Sequence, residues 1–154
     1  MKRLLAGATL LALTLSGAAI AQDAPFAREI KARQGIMVYR AMQLGVLGGM
    51  AKGEIDYNAE AAQKAADNLV AAVTLDQSML WPKGSGHSAN AASTANDDIW
   101  KDGSDIGAKG KAMVEAAMAM QAAAGGGLDS LKAAMGPVGE ACGACHKAYR
   151  IPQN

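Results

Sequence analysis

Six residues near the C-terminus constrain this chain more than anything else in it. Leu131, Met135, Val138, Cys142, Cys145 and Tyr149 recur at steps of four, three, four, three and four. That rhythm is the seam of a helix packed in a bundle. Two positions on the seam are the chain's only cysteines, and a histidine follows the second, giving Cys142-Gly143-Ala144-Cys145-His146. Whatever the fold is, it must bury a helix that carries two thiols and an imidazole near one end.

Cys-x-x-Cys-His is the attachment signature for haem c. On a helix, residues four apart share a face, so Cys142 and His146 project together and Cys145 lies on an adjoining line. Two thiols can then bond the vinyl groups while the imidazole reaches iron from the same side. A Cys142–Cys145 disulfide or a thioredoxin-like redox pair is the competing reading, but the latter wants a βαβ context that this sequence lacks. Structural zinc wants four ligands, and two Cys and two His would have to include His87 from a remote loop. One motif predicts one covalent haem, with His146 as the proximal iron ligand. Only 147–154 follow it, too short a stretch to reach the other face of the ring, so any sixth ligand comes from upstream.

The rest of the chain reads as three more helices. The first spans about 25–52, with Ile30, Met37, Ala41, Leu44, Gly48 and Ala51 mostly at three- and four-residue steps, and ends at Gly53. The second runs from an Asn58 cap to about 78, with Ala62, Ala65, Ala66, Leu69 and Val73 inward. A stretch over 80–98, with Pro82, Gly84, Gly86, His87 and Asn90, reads as a long loop, the kind that often contacts a cofactor. The third helix covers about 105–124, with Ile106, Met113, Ala117 and Met120 inward, and 125–127 is three glycines. The fourth covers 128–150 and carries the seam, with a kink expected at Gly136-Pro137. No strand-like alternation of useful length is present. The expected fold is all-α, an antiparallel four-helix bundle with haem at one end.

The first residues read as a targeting segment. Lys2 and Arg3 precede an apolar run to Ile20, and Ala19-Ile20-Ala21 offers small residues for cleavage. The expected division is a cleaved signal over 1–21 and a bundle over 22–154, delivered to the periplasm with no membrane span in the mature chain. Cleavage takes two basic residues and no acid, so the 15 basic residues fall to 13 against 14 acidic ones. That balance gives no footprint for nucleic acid. Aromatics are only 4% of the chain, so the core relies on Ala and Met and would gain from a bound apolar cofactor.

Together these residues resemble the class II c-type cytochromes, and within them cytochrome c′, over about 28–152. The resemblance rests on the sequence from Ala141 to Arg150, on Arg33-Gln34-Gly35-Ile36-Met37, on Trp81-Pro82-Lys83-Gly84 and on Ile99-Trp100. It implies a four-helix bundle, often a homodimer. It also implies that Arg33 and Gln34 lie at the haem edge, Met37 over the distal face and Arg150 beside the proximal histidine. The function so implied is five-coordinate, high-spin iron that binds nitric oxide or carbon monoxide, transfers electrons, or does both. The alternative is a low-spin electron carrier, with an unidentified redox partner, in which Met37 is the sixth ligand and shuts out gases. An enzyme is not expected, because peroxide cleavage wants a distal acid–base group and the Met37 face offers Ile30, Ala41 and Leu44. On the residues alone, Met37 also reads as core filling, Arg33 and Gln34 as solvated, Arg150 as a helix-end cation, His87 as facing water, and Trp81 and Trp100 as packing.

Overall fold

The computed structural model describes residues 24–152, so the expected signal segment over 1–21 lies outside the described residues. Four helices follow in order: α1 (Ala27–Lys52), α2 (Ala59–Thr74), α3 (Ile106–Ala124) and α4 (Leu128–Tyr149). Short 3-10 turns at Ser78–Leu80 and Asp97–Trp100 bracket the long α2–α3 connection. Among the described residues no strand forms, only a single antiparallel bridge between Ala95 and Arg150. The chain is a four-helix bundle, as the sequence predicts.

Local chemistry sets each boundary. α1 stops at Gly53, whose φ of 76° is left-handed and whose amide returns to Met50 O. Asn58 caps α2 by accepting from the Ala61 amide at 2.8 Å. α2 ends four residues before the expected 78. Leu75 turns extended, and the Asp76 carboxylate takes the Ser78 amide at 2.9 Å, which begins a tighter turn instead. α4 passes through Gly136-Pro137 as one helix.

Helices α2, α3 and α4 pack in sequence, and α1 closes on α2 and α4. The core is Leu47 and Met50 of α1, Ala62, Ala65, Ala66 and Leu69 of α2, Ala117, Met120 and Ala124 of α3, and Leu131 and Val138 of α4. The seam of α4 thus divides. Leu131 and Val138 are sealed in the core, whereas Cys142, Cys145 and Tyr149 are only half-buried at the other end. The α1 stripe divides likewise. Its C-terminal half buries Leu47 and Met50, one step off the expected Gly48 and Ala51, while Met37 and Leu44 stay half-buried. Among the described residues no helix is long and apolar enough to cross a membrane.

Candidate cofactor site

The half-buried ends of α1 and α4 face one cavity of about 400 Å³. It is lined by Arg33, Gln34, Met37, Cys142, Cys145, His146 and Arg150, so every residue singled out for a cofactor from the sequence meets there. Ala41, Leu44, Val73, Ile99, Ile106 and Met113 make most of the remaining wall apolar. A concave apolar chamber with a few convergent polar groups is the usual form of a cofactor site.

Both cysteines are free thiols, so the disulfide reading does not hold in this structure. Burial pushes both thiols up from their ordinary value, and the Cys142 thiol donates to Met113 Sδ at 3.6 Å. Burial, and then the Arg150 charge, push His146 down. That shift favours the neutral imidazole, the form that binds a metal. Among the described residues no three His, Cys, Asp or Glu side chains cluster as they would to hold a bare metal ion.

Arg33 is not solvated. It is 3% exposed, its guanidinium lies 4.5 Å from the Trp81 ring centroid, and its terminal nitrogens donate to Leu80 O, Ser85 Oγ, Ser85 O and Ser93 Oγ. Gln34 Nε2 donates to Ala92 O at 2.7 Å. These two neighbours therefore fasten the long connection to α1. The connection is also fixed to the end of α4, through Asn96 N to Tyr149 O and Ile151 N to Thr94 O, each 2.8 Å. At Gly86 a Cβ would fall 2.1 Å from Asp97 Oδ1, so only glycine lets the loop close on itself there. The stretch that reads as irregular is thus one wall of the chamber. His87 is exposed and bonds Ser93 O through Nδ1, away from the cavity. Trp100 packs beside Trp81, donating to its carbonyl at 3.0 Å.

Three residues on the wall were not singled out from the sequence. Arg40 and Lys109 bring cations, and Met113 brings a thioether beside Cys142. Arg40 is the one with a readable signal, since it sits seven residues after Arg33 and therefore on the same helix face. Burial lowers its pKa from the ordinary arginine value, and its Nε is buried with no hydrogen-bond partner.

Comparisons with known proteins agree with this geometry. The family model described as Cytochrome C′ matches residues 28–150. A cytochrome c-554 of Cereibacter sphaeroides is 48% identical over 144 residues, covering 91% of this chain and 94% of the relative. The solved cytochrome c′ from Rhodobacter Spheriodes superposes with a TM-score of 0.81 at 37% identity, covering 84% of this chain and all of that one. A ferrous variant of cytochrome c prime from Alcaligenes xylosoxidans with bound NO gives 0.71 at 29% identity, covering 81% and 94%. The residues present fit a covalent haem: two thiols and an imidazole on one helix line a largely apolar chamber that also holds four cationic side chains, Arg33, Arg40, Lys109 and Arg150. The chain therefore belongs to the cytochrome c′ family and is a monohaem c-type cytochrome with one covalent haem c.

Proposed function

We propose that this protein is a periplasmic electron carrier whose haem is held by Cys142, Cys145 and His146, with Met37 as the sixth iron ligand. The observation that carries this reading is that Met37 of α1 and His146 of α4 line the same chamber. No other thioether or imidazole of α1 is in that lining. Haem iron, when bound, supplies one-electron exchange between its ferric and ferrous states.

The chain's own residues do the rest. Cys142 and Cys145 hold the group through Sγ, and the neutral His146 binds from the α4 side. Met37, Leu44 and Val73 exclude water, and a thioether ligand favours the ferrous state. Gln34, Arg33 and Arg150 form the polar rim. The Arg33-Gln34 pair is what favours the gas-binding reading in the sequence. Here Arg33 directs its terminal nitrogens to the long connection, so its presence is explained without a cofactor contact. That shifts the balance toward the carrier, in keeping with the cytochrome c-554 relative.

A second reading is a five-coordinate gas binder, in which Met37 only covers the distal face. The apolar wall and the NO-bound relative support it. The likeness to the cytochrome c′ relatives supports a non-enzymatic role under either reading. The Lys2-Arg3 start and apolar run support export. Val38 and Met42, 61% and 62% exposed on α1, support a homodimer through that face.

The absorption spectrum of the reduced protein tests the choice. Sharp low-spin α and β bands that collapse in Met37→Ala are expected. A broad high-spin spectrum in the unaltered protein would establish the gas-binding reading in its place.

A further inference from the structure

Two arginines seven residues apart lie on the inward face of α1, and their surroundings divide their tasks. Arg33 directs its terminal nitrogens to the long connection. Arg40 makes a different set of contacts. Its Nη2 donates to Ala72 O at 2.7 Å, in the last turn of α2, where helix carbonyls lack intrahelical partners. Its Nη1 donates to Met37 Sδ at 3.7 Å. Its Nε is buried and unpartnered.

A role as helix cap accounts for the first contact alone. It does not account for a guanidinium that lines the cofactor chamber and touches the one thioether that α1 brings there. Methionine has three rotatable side-chain bonds and does not hold an orientation by itself. A planar guanidinium anchored on α2 supplies a fixed surface against which the sulfur can rest. Thioether sulfur is a weak acceptor, and one lone pair can take an N–H while the other remains for a metal. Groups outside the coordination sphere commonly orient and tune the ligand in this way.

We infer that Arg40 is a positioning residue for Met37, holding its thioether on the distal face through the Nη1–Sδ contact while Ala72 O holds the guanidinium. The inference rests on the reading of Met37 as the distal residue, but needs only that Met37 governs access to iron, as ligand or as cover.

The test is a double-mutant cycle read by carbon monoxide binding to the ferrous holoprotein. Arg40→Lys keeps the charge and can still reach a carbonyl, but loses the planar fork. In the otherwise unaltered chain it should speed carbon monoxide binding about tenfold, the scale on which such supporting groups act. In a Met37→Leu background the same substitution should change nothing. Arg40→Gln should show the same dependence on Met37. Equal effects in both backgrounds overturn the inference, as does an unchanged rate accompanied only by a lower melting temperature. Failure of the carrier reading shows separately, as broad high-spin bands in the unaltered protein. Met37 would then be a cover, and the cycle would still read its coupling to Arg40.

Discussion

The two ends of the bundle are built on opposite principles. At one end α1, α2, α3 and α4 meet through Leu47, Met50, Ala62, Ala66, Met120, Ala124 and Leu131, most of them wholly buried. Small residues let the helices approach, and the turns are fixed by one hydroxyl: Tyr57 donates to Ala124 O at 2.9 Å and accepts from the Gly127 amide at 2.9 Å. At the other end the helices part around a chamber, and its walls are held by arginines, glutamine and a 3-10-bracketed loop. Close packing supplies stability at the first end. Polar fastening preserves space at the second, because a wall of apolar side chains alone would be free to collapse inward.

That contrast can be broken from either side. Leu131→Ala opens a hole among fully buried neighbours and should cost about 2–5 kcal/mol in denaturant unfolding, with the absorption bands unmoved. A change of bands at unchanged stability would mean that the two ends are not separable. Arg33→Met keeps much of the side-chain volume but leaves Ser85 and Ser93 without their donor. It should cost about 2–3 kcal/mol and quicken proteolytic nicking within 80–98, a cut that Leu131→Ala should not favour. Intact protection of that loop would show that its own turns, not Arg33, keep the wall in place.

Tyr149→Phe is the mildest. The Tyr149 hydroxyl donates to Asp105 at 2.6 Å, and this bond, with Lys109 beside it, holds the Asp105 carboxyl below its ordinary value. A carboxyl depressed in the folded chain contributes stability above its unfolded pKa and loses it as pH falls through the folded one. Removing the hydroxyl should therefore raise the acid-unfolding midpoint slightly. An unmoved midpoint would show that the solvent-exposed Asp105 gains nothing from this bond.

Much of this is legible in one dimension. Helix seams are periodic, so spacing alone places Leu131, Val138, Ala62, Leu69, Ala117 and Met120 inward. Cys142, Cys145 and His146 form a local constellation whose geometry a helix dictates by itself. Arg33, Gln34 and Met37 are marked by resemblance, and all three line the chamber. The task of Arg33 is not legible. Its acceptors lie 47 to 60 residues away, in a segment whose turn-rich composition says only that it is not helix or strand. The early end of α2 escapes for a different reason, since one local Asp76–Ser78 bond outcompetes another helical turn.

The sequence by itself determined four helices, the inward faces of α2, α3 and α4 and the attachment of one haem, because each depends on residues within a few turns of one another. Only the tertiary structure decided which α1 residues face His146, that the long connection is a wall rather than a tether, and that Arg40 stands against Met37 with an unpartnered donor. Those outcomes depend on contacts between segments far apart in the chain, where hydrogen-bond geometry and burial, not periodicity, select the partner.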